Sequence, residues 1–301
     1  MSQQHATDAA AQAPAESDVS SAVDAAPELR IDPHTHTLAS DGIDEVEEMI
    51  RAAVRRGLDA VAITDHERMD AALAGKAMAE YHGWPIEVIV GEEVSTRGGH
   101  LVGLYMTERI RPWHSLKDTI ARIHEQGGLA IIAHPLPPYP LCASERTVRK
   151  LMDEADPIFH PDGMEGFNPT TAGKALAHWS RRAPALADEL GIAATGGSDA
   201  HKATHVGSTV TIVRADGTVE QSLRRALAER DTRWEGHGYS WTSQLRMFRQ
   251  QTRKNLAAVR DEVRGKVRRD STGRDLGYPG GRHRPATFDR VAAGLPPEEQ
   301  S

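Results

Sequence analysis

LDAVAITDH, residues 58–66, is the stretch whose reading decides the fold. Its apolar run from Leu58 to Thr64 predicts a buried strand, and the strand ends on Asp65 and His66. Directly upstream, Gly57 stands where a helix C-terminal glycine belongs. The helix it closes is predicted from a cap at Asp44 to about Arg56, with Val46, Met49, Ile50, Ala53 and Val54 at helical spacing. Downstream, a second helix is predicted over 68–82. A buried strand between two helices is the repeating unit of a parallel sheet with helices outside it.

The unit recurs along the chain. Leu29–Ile31 is a short strand running into IDPHTHT (31–37), Leu129–Ala133 stops at His134-Pro135, and Ile192–Thr195 leads into GGSDAH (196–201). Further extended runs are predicted at 86–94, 100–106, 163–168 and 206–213. Helices are predicted at 113–126, at 144–155 with Ser144 as cap, at 171–190 with a break near Pro184, and at 219–229. This alternation predicts an α/β fold of parallel strands with outer helices, closed into a barrel. Such a sheet delivers the C-terminal ends of its strands to one rim, where sites are built.

Composition narrows the function classes. The chain has 301 residues, 39% hydrophobic and only 5% aromatic, so the core must be mostly Ala, Val, Ile and Leu. A net charge of −7 gives no global nucleic-acid signal. The single cysteine, Cys142, excludes an internal disulfide and a cysteine-cluster zinc site, and fits a cytoplasmic protein. No apolar run approaches the ~20 residues of a membrane span, and the start does not resemble a secretory leader. Four regions are expected: a disordered leader (1–26), one large domain (27–238), a basic amphipathic helix (239–269) and a disordered tail (270–301).

Fifteen histidines are many for this length, and they concentrate at the predicted strand ends. His34 and His36 lie at i and i+2 of an extended segment, so both imidazoles point to one side and can grip one ion. Asp199 and His201 repeat that geometry after Gly196 and Gly197, glycines expected to let the backbone approach a ligand closely. Asp65 is expected to orient a ligand imidazole, to cap the next helix, or both. Imidazole and carboxylate from four strand ends suggest bound divalent metal and hydrolysis by a metal-bound hydroxide.

His-x-His-Thr, Ser-Asp-Gly, Thr-Asp-His, Gly-x-Glu-Val-Ser, Ala-His-Pro and Gly-Ser-Asp-Ala-His, in that order, resemble the PHP (polymerase and histidinol phosphatase) phosphoesterases over residues 29–213. The resemblance implies a distorted (β/α)7, TIM-like barrel with two or three divalent ions, Mn, Zn or Fe, at its C-terminal rim. Carried over by position, a first ion would be held by His34, His36, Glu93 and Asp199. A second would share Glu93 with His134 and His100, and a third would use Asp41, His66 and His201. The family spacing selects Glu93 over Glu92. Asp41, Asp65 and His201 are the candidates to support the hydroxide. Asp32, Asp65, Glu165 and Asn168 are expected to surround the ligands, and Arg68, Arg97, Lys202 and His205 to contact the substrate.

His100, in Gly-Gly-His-Leu-Val-Gly-Leu, resembles the branch that acts on nucleoside 3′,5′-bisphosphates or short 5′-phosphorylated oligonucleotides. That branch carries an insertion after Ala-His-Pro. Here the stiff loop Pro-Leu-Pro-Pro-Tyr-Pro (135–140) stands in its place. Residues 245–269 combine an apolar stripe with nine Arg or Lys against two acids, which suits either packing on the barrel or contact with short single-stranded nucleic acid. The expected substrate is a phosphorylated small molecule or nucleotide. The alternatives are a histidinol-phosphate phosphatase, and a PHP domain serving as a non-catalytic scaffold or nucleic-acid-binding module.

Overall fold

The computed structural model describes residues 27–171 and 177–239. The regions expected at 1–26 and from residue 240 onward, the basic segment 245–269 included, lie outside the described residues.

β1 (Glu28–Asp32) runs parallel to β2 (Ala60–Ile63), and β2 runs parallel to β3 (Glu87–Thr96). α1 (Val46–Arg55) and α2 (Asp70–His82) make the two crossovers. α1 buries Val46, Met49, Ile50 and Ala53, the apolar face its spacing predicts. Its cap is Glu45 rather than Asp44: the Glu48 carboxylate accepts the Glu45 N–H at 3.4 Å. Asp44 instead accepts the Ala203 N–H at 2.7 Å, tying this turn to the loop after Asp199. Gly57 and Gly83 close the two helices with φ of 65° and 62°, which glycine adopts without strain.

The sheet is mixed, which corrects the all-parallel expectation. β4 (Gly99–Leu104) pairs antiparallel with β3 and with β5 (Leu129–Ile132). Only Arg97 and Gly98 join β3 to β4, too few residues for a crossover, so the pair must be a hairpin. After α3 (Leu116–Glu125, capped by Ser115) and α4 (Glu145–Met152, capped by Ser144), β6 (Gly163–Phe167) and β7 (Ala193–Gly196) return to parallel pairing. α5 (Ala177–Leu190) lies between them and continues through Pro184, where a break was expected.

β8 (Thr209–Arg214) pairs antiparallel with β1, and after α6 (Val219–Glu229) β9 (Thr232–Gly236), a strand the sequence did not announce, pairs antiparallel with β8. The order is β7-β6-β5-β4-β3-β2-β1-β8-β9. Its ends nearly meet. The Thr211 hydroxyl donates to the Gly196 carbonyl at 2.9 Å and accepts the Gly196 N–H at 3.0 Å, and the Thr232 hydroxyl donates to the Ala194 carbonyl at 2.8 Å. The result is a nearly closed barrel.

Strand alternation sorts the side chains into two layers. Ile31, Ala60, Ala62, Ile89, Val102, Leu104, Leu129 and Ile131 form an inner cluster with Leu223, Ala226 and Leu227 of α6. Val61, Ile63, Val88, Val90, Leu101, Ala130 and Ile132 face the other way, under the outer helices. α6 covers the end of the barrel where β5 begins: the Arg224 guanidinium donates to the Gly127 carbonyl at 2.6 Å. The opposite end is the rim that carries the histidines. Among the described residues, no helix is long and apolar enough to cross a membrane.

Candidate metal centre

The inward alternation of β3 continues from Ile89 through Gly91 to Glu93, and that of β4 runs back from Leu104 through Val102 to His100. Both polar side chains therefore stand at the top of the barrel interior. Glu92 falls on the opposite face with Val88 and Val90, beneath Ile110, whose N–H its carboxylate accepts at 2.9 Å. Its second oxygen is buried without a hydrogen-bond partner, and burial pushes this carboxyl up to about 8. The choice of Glu93 as the carboxylate facing the histidines thus has a cause in strand period.

Glu93 is the hub. One of its oxygens lies 2.9 Å from His100 Nδ1 and 3.1 Å from His134 Nε2. The other lies 3.3 Å from His34 Nε2, 3.2 Å from His36 Nε2 and 3.3 Å from His66 Nδ1. Asp199 Oδ1 is 3.3 Å from His36 Nε2 and 3.7 Å from His34 Nε2. Asp41 approaches His201 Nε2 at 3.1 Å, His66 Nε2 at 3.8 Å and His36 Nδ1 at 3.7 Å. All nine residues expected as ligands are brought together. Three sets have donor atoms within 4.8 Å of one another: His34, His36 and Asp199; His36, Asp41 and His66; His66, Glu93 and His100.

The charge pattern follows from this crowding. Burial alone would push the carboxyls of Glu93 and Asp199 up, but the surrounding imidazoles hold both well below the ordinary range. Burial alone would lower His34, His36 and His134, yet nearby carboxylates hold all three well above the ordinary imidazole value. His201 is raised by Asp41 against the same burial. His66 is lowered, because burial and two neighbouring imidazoles outweigh Glu93 and Asp41.

The residues fit divalent metal on an observation of geometry. His34 Nε2 and His36 Nε2 lie 3.0 Å apart, both aimed at the same two carboxylates. Lone pairs of imidazole and carboxylate converging so closely repel unless a proton or a cation sits among them. His36 Nδ1 and His66 Nδ1 are also buried without a hydrogen-bond partner. A set of neutral nitrogens and ionised oxygens of this kind suits Zn, Mn or Fe.

A supporting layer fixes the rings. Glu165 accepts from His34 Nδ1 at 2.9 Å with one oxygen, and from the His134 N–H at 2.7 Å and Asn168 Nδ2 at 2.8 Å with the other. The register of β6 on β7 shifts between Glu165 and Phe167, a bulge at the point where Glu165 turns into the site. Asn168 also reaches Asp199 Oδ2 at 3.4 Å. Asp32 holds the last motif from beneath, accepting the Ser198 N–H at 3.0 Å and the Gly207 N–H at 2.7 Å, and burial raises its pKa to about 6. His134 and Asp199 have φ of 28° and 49°, left-handed values that are unusual outside glycine and cluster at functional sites.

Several expectations are corrected. Asp65 orients no ligand imidazole and caps no helix. Its oxygens accept the N–H and hydroxyl of both Thr37 and Ser40, at 2.5–3.2 Å, which fixes the turn leading to Asp41. Gly197 makes room for Glu165 and the His34 Cβ, and Gly196 for Trp234 and Thr209, rather than for a ligand. Arg68 is engaged by Asp70 through both Nε and a terminal nitrogen. His205 stacks on Tyr239 at 4.1 Å, and burial, then Lys202, lowers it to about 4, so it carries no charge at neutral pH. Arg97 is exposed and Lys202 half-buried.

Sequence reasoning missed four contacts. Ser95 Oγ lies 3.3 Å from His100 Nε2, Cys142 Sγ 3.6 Å from His134 Nδ1, and the Thr170 hydroxyl donates to Asp199 Oδ2 at 3.2 Å. The Tyr239 hydroxyl donates to the Ser198 carbonyl at 2.6 Å. Ser95 was findable, two residues beyond Glu93 on the same strand face. The other three come from loops with no pattern to read.

Residues 32–152 match the PHP domain family, and residues 177–232 match the PHP-associated family. An uncharacterized protein of Methanocaldococcus jannaschii is 32% identical over 149 residues, 45% of this chain and 86% of that protein. A 5′-3′ exoribonuclease of Haemophilus influenzae is 35% identical over 79 residues, 25% of this chain and 28% of that protein. A phosphoribosyl 1,2-cyclic phosphate 1,2-diphosphodiesterase of Eggerthella lenta is 32% identical over 83 residues, 26% and 31% of the two chains.

Among solved structures, the fold resembles a two-domain Bacteroides vulgatus protein containing a predicted PHP-like metal-dependent phosphoesterase. The TM-score is 0.57 at 21% identity, covering 76% of this chain and 71% of that one. It also resembles PsfC of Pseudomonas syringae, with a TM-score of 0.53 at 20% identity, covering 75% and 96%. The first family match opens at Asp32 and runs through Glu93 and His134, the second contains Asp199 and His201, and the archaeal relative is covered over most of its length: this chain belongs to the PHP domain family.

Proposed function

We propose that this centre hydrolyses a phosphate ester of a nucleotide, either a nucleoside 3′,5′-bisphosphate or a short 5′-phosphorylated oligonucleotide. The observation that carries the hydrolytic reading is the Glu93 hub, one carboxylate within 3.3 Å of nitrogens from five histidines. The nucleotide preference is supported by the place of His100 beside Glu93 and by similarity to an exoribonuclease and to a phosphodiesterase of a ribosyl phosphate.

His34, His36, Glu93 and Asp199 would hold one ion, Glu93, His100 and His134 a second, and Asp41, His66 and His201 a third. Bound divalent ions acidify a water and neutralise phosphate oxygens. The protein's own part is to orient and to move protons. Glu165 keeps the His34 proton on Nδ1, so that Nε2 presents its lone pair to the centre. His201 Nε2, itself buried and paired with Asp41, whose side chain is 20% exposed, is placed to give a proton to the departing oxygen. Arg97 and Lys202 are the cations left near the rim to take the remaining phosphate charge.

The test is phosphate and nucleotide release with added Mn²⁺ from adenosine 3′,5′-bisphosphate, a short 5′-phosphorylated RNA, a ribosyl 1,2-cyclic phosphate and histidinol phosphate. Turnover of the first two, lost in His34→Ala, is expected. Turnover of histidinol phosphate alone would overturn the nucleotide reading, and no turnover with any metal would overturn the hydrolytic one.

A further inference from the structure

Two large aromatic side chains are exposed on the rim. Among the described residues four large hydrophobic side chains are strongly exposed; Leu73 and Tyr81 lie on α2, while Trp113 (60% exposed) and Tyr139 (53%) lie on loops beside the metal centre. Backbone hydrogen bonds place both loops. The Trp113 N–H donates to the Ser95 carbonyl at 2.8 Å, on the edge of β3 facing away from β4. The His100 N–H donates to the Leu141 carbonyl at 2.7 Å, on the edge of β4 facing away from β3. Ser95 and His100 are direct partners across the hairpin. The hairpin that supplies Glu93 and His100 is therefore flanked by the Trp113 loop on one side and the Tyr139 loop on the other.

Neither aromatic is there for the core. Trp113 holds φ at 69°, a left-handed value that a bulky residue adopts at a cost. Leu136 and Leu141, on either side of Tyr139, hold 84° and 67°. Left-handed backbone at a bulky, exposed residue is of the kind that clusters at ligand sites. Arg97, exposed on the turn of the same hairpin, has its backbone N–H bonded to the His114 carbonyl at 3.0 Å, so the main chain that carries this cation is tied to the segment that carries Trp113.

We propose that Trp113 and Tyr139 form a stacking site for the base of the nucleotide whose phosphate lies at the centre, with Arg97 facing its second phosphate. This rests on the nucleotide reading above and assigns the residues that enforce it. Ser95 is two residues beyond Glu93, about 7 Å along the strand, and one nucleotide spans a similar distance from phosphate to base. Every base has a π-face, so stacking gives preference for a nucleotide without preference for sequence, and each stack contributes about 5- to 100-fold in affinity.

The experiment compares adenosine 3′,5′-bisphosphate with ribose 3,5-bisphosphate, which keeps both phosphates and lacks the base. kcat and KM are measured for the full chain, Trp113→Ala, Trp113→Phe and Tyr139→Ala, each checked for an unchanged melting temperature. Wild type is expected to favour the base-bearing substrate. Trp113→Ala is expected to reduce that ratio of kcat/KM about tenfold through KM, Trp113→Phe to restore most of it, and Tyr139→Ala to reduce it severalfold. A wild-type preference that survives both alanine substitutions overturns the stacking site and leaves the nucleotide reading standing. A wild type with no preference for the base overturns the stacking site even if both substrates turn over. A wild type inert on nucleotides and active on histidinol phosphate removes the nucleotide reading and the stacking site with it.

Discussion

Glu165 binds His34 with one carboxylate oxygen and the His134 backbone with the other, at 2.9 and 2.7 Å. One side chain thereby sets the ring of the first strand's ligand and the position of the fifth strand's. Glu165→Gln keeps the size but puts an amide N–H against one of these donors. Metal affinity is expected to fall 10- to 100-fold, as it does when a ligand imidazole loses its outer partner. Chelator competition with Mn²⁺ or Zn²⁺ reads the change directly, and unchanged affinity would remove Glu165 from its positioning role.

Metal binding should release protons. His34, His36, His134 and His201 have pKa values raised in the metal-free cluster, so at neutral pH imidazolium character is retained where an ion needs a lone pair. Glu93 and Asp199 are already ionised and contribute none. Affinity should therefore weaken steadily as pH falls below the raised imidazole values. The sign for folding is the reverse. Raised imidazoles stabilise the metal-free protein fully below the ordinary histidine value of 6.5, and that stabilisation is lost as pH climbs through the raised values. Titration calorimetry in buffers of different ionisation heat should show net proton release at pH 7. Zero release would mean that the cluster is already deprotonated.

The strand-and-helix order and the convergence of nine metal donors were legible because both rest on short-range pattern. Ile89, Gly91 and Glu93 share one face by strand period, and His34 with His36 share one side by the same rule. The antiparallel pairing of β4 was not read from the sequence, although only Arg97 and Gly98 separate that strand from β3 and no helix fits there. β9 was not read either, for Thr232–Gly236 is largely polar and one face of its edge position is open. Nor was the task of Asp65, whose neighbour His66 suggested an imidazole while Thr37 and Ser40, 28 and 25 residues away, took its oxygens. Polar partners from distant loops leave no period in the sequence.

Glu92, rejected as a ligand, has its own consequence. Its carboxyl is pushed up to about 8 by burial, from an ordinary value of 4.5. A carboxyl raised on folding favours the native state below 4.5 and loses that contribution as pH climbs toward 8. Glu92→Gln removes the titration and keeps an oxygen for the Ile110 N–H. Wild type should lose on the order of 4 kcal/mol between pH 5 and pH 9 relative to Glu92→Gln, at about 1.4 kcal/mol per unit. Denaturant melts across that range check it, and parallel curves for the two proteins would place Glu92 in a better-solvated site.

Gly197 lies between Glu165 and the backbone that carries His34. A Cβ there would overlap Glu165 Oε1 and come within 2.9 Å of the His34 Cβ. The end of a free glutamate would swing aside, but Glu165 is held by His34, His134 and Asn168. Gly197→Ala must therefore break those bonds or move the strand that carries His34. It should cost about 1–3 kcal/mol of stability and at least tenfold in metal affinity. A double-mutant cycle decides between the two routes. In Glu165→Ala the space is already open, so adding Gly197→Ala should cost much less than it does alone. Full additivity would mean that the new methyl acts on His34 and not through the carboxylate.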